Sequence, residues 1–187
     1  MAEQSIMINK QGSEALVKSK IKIDLNKPRK KPAIRLMPMT EEGFKTYQTY
    51  SIQHYAMEKV KAGTWTVAEA MEKAEEQFAA LLPNGIETVN HHLWSIMDDS
   101  GDAAGWLWIY ADPHHPQKEA FIYDFGLYEA YRGQGIGQQA LAVLEEEAKQ
   151  LGVKKLSLHV FAHNKKAKRL YEKMNFETTD LHMSKRL

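Results

Sequence analysis

Apolar residues along this chain fall into two alternating rhythms, one of period two and one near 3.6, and their order predicts its elements. The sharpest switch lies within residues 121–151. Phe121, Tyr123, Phe125 and Leu127 alternate, which predicts a strand over 121–128 with Asp124 on the face opposite Phe121, Tyr123 and Phe125. From Ile136 the spacing becomes helical through Ala140, Leu141, Leu144, Ala148 and Leu151, and Gly152 is a natural stop. Upstream, residues 33–37 read as a strand stopped by Pro38. Thr40 followed by Glu41 and Glu42 starts a helix over 41–62, which Gly63 ends. Thr66 with Glu69 forms a capping box for a second helix, which runs to Pro83-Asn84-Gly85. Residues 91–97 and 105–111 read as a hairpin about the acidic turn at 98–102. A strand over 155–161, a helix over 164–174 and a last alternating strand over 176–185 complete the chain. This mixture is an α/β (α+β) domain over residues 32–187. Residues 26–32 read as a linker to an extension, 1–31, that carries one short alternating run at 21–25.

The junction between the organising strand and its helix is Arg132-Gly133-Gln134-Gly135-Ile136-Gly137. Three glycines in five residues let main chain approach a bulky polyanion with no Cβ in the way. The first free N–H groups of the helix and its dipole converge on the same place, and Arg132 adds a cation. The chemistry is that of a pyrophosphate cradle, and these letters alone do not say whose. Gly135-Ile136-Gly137-Gln138-Gln139-Ala140 also fits the dinucleotide fingerprint G-x-G-x-x-[G/A], but that fold needs a carboxylate closing the next strand. Here that strand ends His159-Val160-Phe161.

Arg132-x-x-Gly135-x-Gly137 resembles the acetyl-coenzyme A motif [RQ]-x-x-G-x-[GA] of the GNAT superfamily of N-acetyltransferases. Downstream, Asn164, Ala167, Leu170, Tyr171, Lys173 and Phe176 match N-x-x-A-x-x-L-Y-x-K-x-G-F, with Asn175 in place of the glycine. Asn is the next best residue for a left-handed position after a helix. The resemblance implies a GNAT-like three-layer fold, its mixed sheet splayed between the fourth and fifth strands and flanked by helices. It implies acetyl-CoA as cosubstrate, a primary amine on a small molecule or peptide as acceptor, and a possible homodimer. Its cofactor-binding set falls on Leu127, Tyr128, Arg132, Gly133, Gln134, Gly135, Ile136, Gly137, Gln138, Asn164, Ala167, Tyr171 and Lys173, with the pantetheine arm bonding main chain near Leu127 and Tyr128.

Composition adds limits. The chain has 187 residues, 43% hydrophobic and 26% charged, which suits one soluble core. No apolar run is long enough to span a membrane, nothing reads as a secretory leader, and a cytoplasmic enzyme is the default expectation. With no cysteine there is neither a disulfide nor an acyl-cysteine intermediate, so direct transfer in a ternary complex is the simplest route. Residues 1–31 hold eight Lys/Arg against three Asp/Glu, a net of +5, and the remainder is −4. That arm could touch nucleic acid, but without interleaved aromatics a solvated extension is the plainer expectation.

Acetyl transfer to an amine needs a base for the ammonium, a donor for the oxyanion and an acid for the departing thiolate. By resemblance Tyr171 is the acid and Asn164 a pantetheine ligand, although both residues also suit packing and N-capping. The oxyanion donor, by the same analogy, is main-chain N–H near Leu127. Asp124 is the first candidate base, since a carboxylate in an apolar strand calls for a reason. His159 is the second, with a buried core histidine its plainer identity. Tyr47, Tyr50, His54, Tyr55 and Trp65 would line the acceptor side, together with the loop over residues 85–92. His91-His92 and His114-His115 lack further ligands at metal spacing, so no metal is expected. The rival function is an acyl-CoA-binding regulatory module of the same fold without turnover.

Overall fold

The computed structural model describes residues 33–183 and 185. The basic extension, its run at 21–25 and the linker to residue 32 lie outside the described residues. A five-stranded sheet has the order β1-β2-β3-β4-β5: β1 (Arg35–Pro38), β2 (His91–Met97), β3 (Ala103–Ala111), β4 (Glu119–Leu127) and β5 (Lys155–Leu158). The first four are antiparallel, and β5 joins β4 in parallel. Pro38 is tolerated inside β1 because that strand is an edge.

Helices cover both faces. On one lie α1 (Glu41–Lys61) and α2 (Ala70–Leu81), whose Phe44, Tyr47 and Phe78 bury against Leu93, Trp106 and Trp108. On the other, α3 (Ile136–Gln150) inserts Ala140, Leu141 and Leu144 against Ile96, Leu107, Ile109 and Ile122. Leu170, Tyr171 and Met174 of and just beyond α4 (Lys165–Lys173) pack on that second cluster. The two core sets come from alternate positions of β2 and β3, as a strand buried on both sides requires. Thr40 caps α1 through a bond from the Gly43 N–H at 3.1 Å. At α2 the capping box is half made: Glu69 accepts the Thr66 N–H at 2.9 Å, and the helix proper begins at Ala70.

A bulge in β4 corrects the period-two reading of that strand. Ile109 faces Ile122 and Trp108 faces Asp124, so Tyr123 is the extra residue. The alternation therefore slips by one. Ala120, Ile122, Phe125 and Leu127 face α3, whereas Tyr123 stacks on Trp108 at 4.7 Å and Asp124 bonds Trp106. Asp124 thus lies opposite Phe125 as expected, but shares a face with Phe121 and Tyr123. The approach of Trp106 depends on Gly126, since a Cβ there would stand 2.3 Å from the indole Cζ2. Gly126→Ala is expected to push Trp106 aside and cost about 1–3 kcal/mol, measured as a lower urea midpoint.

Pairing of β4 with β5 ends at Ile122 and Leu158, while β4 continues to Leu127. This is the splay, and it leaves the C-terminal half of β4 with an open edge. β5 is three residues shorter than expected because the bulged β4 offers it no further ladder. The expected strand over 176–185 is not formed by the described residues of that stretch. Phe176 tucks against Tyr171 at 5.6 Å, but residues 177–183 are exposed, Leu181 and Met183 among them, so no apolar face is gained by pairing.

Candidate active site

The cradle is built where β4 turns into α3. Gly133 and Gly135 adopt φ of 76° and 80°, the left-handed region that glycine enters without strain, and Gly135 is the N-cap of α3. Among the described residues no acceptor takes the N–H groups of Gly133, Gln134, Gly135, Ile136 or Gly137. The geometry offers a run of free donors at the positive end of a four-turn helix, which fits a pyrophosphate. Ile136 contributes only main chain, because its side chain is fully buried. Gln138 is half-buried in the first turn of α3. Gln134 donates to the Ala130 carbonyl at 2.6 Å. Gly137 lets Leu170 of α4 pack close to α3, a Cβ there lying 3.1 Å from Leu170 Cδ2.

The loop before the cradle is anchored by a pair that the sequence did not announce. The Tyr131 hydroxyl donates to Asp98 Oδ2 at 3.0 Å, while Asp98 Oδ1 accepts the N–H groups of Ser100 and Asp102. Burial, then the bond to Asp98, pushes the Tyr131 hydroxyl up to about 12. Arg132 Nε donates to the Leu127 carbonyl at 2.8 Å. The Tyr128 N–H donates to the Ala104 carbonyl at 2.9 Å, so by antiparallel alternation Leu127, one residue earlier, turns its N–H and C=O away from β3 and into the splay.

Asp124 lies under α1. Its Oδ2 accepts from the Tyr47 hydroxyl at 3.0 Å, Ser51 Oγ at 3.1 Å and Trp106 Nε1 at 3.0 Å. No donor reaches Oδ1 among the described residues. Burial raises the Asp124 carboxyl above its ordinary range, against those three bonds and the nearby His54, which favour the charged form. Tyr171 is half-buried, and no partner for its hydroxyl is found among the described residues. Burial and the charge of Asp124 hold its proton far above the usual tyrosine range. Tyr171 packs on the α3-side cluster and Asp124 faces α1, with no hydrogen bond between them among the described residues.

Other predicted residues separate. Asn164 is the N-cap of α4, accepting the Ala167 N–H at 3.1 Å, so the capping alternative is realised. Lys173 is exposed at the end of α4. Asn175 adopts φ of 62°, as its replacement of glycine requires. His159 is exposed and set edge-on to Phe161, which corrects its reading as a core histidine. Tyr47, Tyr50 and His54 gather beside Trp106 and Asp124, whereas Tyr55 and Trp65 pack on each other under Lys59. His91 accepts the Trp108 indole N–H at 2.8 Å, and His115 accepts main-chain N–H groups.

Glu58 ties two distant segments together. It is 8% exposed and bridges Lys61 on its own helix (2.7 Å) and His163 (2.5 Å), joining α1 to the turn just before Asn164. A lone Glu on a long helix gives no sequence signal for a partner 105 residues away. Glu58→Ala is expected to lower unfolding free energy by about 1–2 kcal/mol, less than a fully buried pair because Lys61 and His163 are exposed, as urea titration would show.

A family model, the acetyltransferase (GNAT) family, matches residues 53–176. The chain is 56% identical over 154 residues to the uncharacterized N-acetyltransferase YycN of Bacillus subtilis (strain 168), covering 82% of this chain and 99% of that protein. The chain belongs to the GNAT family of acetyltransferases. A second relative in the same organism, the uncharacterized N-acetyltransferase YdgE, is 51% identical over 83% of this chain and 99% of its own length. The crystal structure of YycN superposes with a TM-score of 0.80 over 82% of this chain and 98% of that one. The GNAT assignment accounts for the parallel β4–β5 pair, the splay and the glycine turn together. None of the helices among the described residues is long and apolar enough to cross a membrane.

Proposed function

We propose that this GNAT protein moves an acetyl group from acetyl-CoA to a primary amine by direct attack in a ternary complex. The observation that carries the reading is the arrangement at the splay. A run of free main-chain donors closes one end, and Asp124, with Oδ2 clamped and Oδ1 without a donor, lies on the α1 side of β4 while Tyr171 packs on the α3 side.

Acetyl-CoA, when bound, supplies an activated thioester. The N–H groups of residues 133–137 would hold its pyrophosphate, and the open edge of β4 at Leu127 its pantetheine arm. Asp124 Oδ1 takes the proton that the acceptor ammonium must lose. The Leu127 N–H, turned into the splay, donates to the acyl oxygen as charge builds there. As the C–N bond forms the nitrogen sheds its second proton to solvent, and as the C–S bond breaks Tyr171, which stays protonated at neutral pH, gives its proton to the departing sulfur and is reprotonated from solvent.

Tyr171→Phe separates this reading from a binding module without turnover. It is expected to lower kcat by about 10²-fold with acetyl-CoA affinity unchanged, read as free-thiol release and as thermal shift. An indifferent rate would remove Tyr171 from the mechanism. Binding without thiol release by the unaltered chain, across a broad amine panel, would favour the module.

A further inference from the structure

We infer that Tyr131 and Asp98 are positioning residues for the coenzyme's pyrophosphate, because the bond between them fixes the glycine turn before any ligand arrives. The inference deepens the acetyl-transfer reading and rests on the free N–H groups of residues 133–137 meeting that pyrophosphate. Main chain holds an anion tightly when its donors already converge, since ordering a loose turn on binding opposes affinity. The two halves of this turn are held differently. Ile136, 0% exposed, anchors the helical half in the core. Ahead of it, Arg132, Gly133 and Gln134 are exposed, and Gly133 and Gly135 both take positive φ. Glycine loses more conformational freedom on ordering than any other residue, so this half depends on a tether.

Most bonds in the first half are local. The N–H groups of Tyr131 and Arg132 donate to the carbonyls of Tyr128 and Glu129, and the side chains of Arg132 and Gln134 reach carbonyls no more than five residues back. Among the described residues, one hydrogen bond carries residues 129–134 to a distant part of the chain: the Tyr131 hydroxyl to Asp98 Oδ2, 33 positions away. Asp98, 6% exposed, is a rigid socket for it. Its N–H donates to the Asp102 carbonyl, its carbonyl accepts from the Gly101 N–H, and its Oδ1 accepts the N–H groups of Ser100 and Asp102. Those bonds shape the β2–β3 turn without the tyrosine and leave Oδ2 to hold the cradle loop. Register sets the turn and the cradle at one end of the sheet, since Gly105 near the start of β3 faces Leu127 at the end of β4.

The test reads affinity without turnover. The full chain is titrated by calorimetry with coenzyme A, and the urea midpoint of each variant is measured beside it. Tyr131→Phe is expected to raise the dissociation constant about fivefold or more. Glu58→Ala is the stability control, because its partners Lys61 and His163 lie outside the cradle. Its urea midpoint should fall while its affinity for coenzyme A stays within about twofold of the parent. Asp98→Asn keeps an oxygen for Ser100 and Asp102 and gains an amide that can donate to the Tyr131 hydroxyl, so it should lose less affinity than Tyr131→Phe. Unchanged affinity in Tyr131→Phe, or an equal loss in Glu58→Ala, would overturn the positioning role and leave the acetyl-transfer reading standing. Failure of the unaltered chain to bind coenzyme A would overturn both.

Discussion

Asp124→Asn is expected to lower kcat by about 10²–10³-fold while acetyl-CoA affinity stays within about twofold. The asparagine oxygen can still accept from Tyr47, Ser51 and Trp106, so the scaffold persists, but the group facing the cleft becomes a donor that cannot take a proton. The pH behaviour is set by burial, which raises the folded carboxyl above its ordinary value of 3.8. The acid limb of the rate profile should therefore lie above the ordinary carboxylate range, since the base must be ionised. Stability moves the other way. The folded state keeps the proton to higher pH than the unfolded chain, so the contribution of this group is full below about 4 and is lost as pH rises through the raised value. Urea unfolding across that window should show the decline in the parent protein and a flatter profile in Asp124→Asn. A variant with undiminished kcat would remove Asp124 as the base.

Gly135→Val should abolish the rise in Tm that acetyl-CoA gives, corresponding to an affinity loss of about 10²-fold or more. The residue sits at φ of 80°, where a β-branched side chain is strained, and its N–H belongs to the free run that starts α3. Gly133→Ala serves as the control for strain. Its φ is 76°, yet an added Cβ meets nothing within 4 Å, so it should lose stability and keep most of its response to acetyl-CoA. A full response in Gly135→Val would mean that the pyrophosphate is held elsewhere.

The sequence made some of this legible and hid the rest for identifiable reasons. Local rules suffice where a signal is local: Thr40 before Glu41 starts α1, the acidic turn at 98–102 joins β2 to β3, and Gly133 and Gly135 mark the cradle. The bulge at Tyr123 could not be seen, because one inserted residue leaves the letters of β4 alternating while it rotates Asp124 and the rest of the strand relative to β3. Trp106 belongs with Asp124 only through cross-strand register and the bare Cα of Gly126. Glu58 and Tyr131 meet partners far along the chain, which no periodicity encodes. The tail after Phe176 failed as a strand because alternation without a neighbouring ladder and a buried face has nothing to stabilise it.

The most direct measurement is paired detection of products from acetyl-CoA and a panel of primary amines, with free thiol and acetylated amine quantified in the same reaction. One thiol for each amide formed, at a rate that depends on Asp124, is the predicted result. Acetyl-CoA bound tightly with neither product above the uncatalysed background would contradict it.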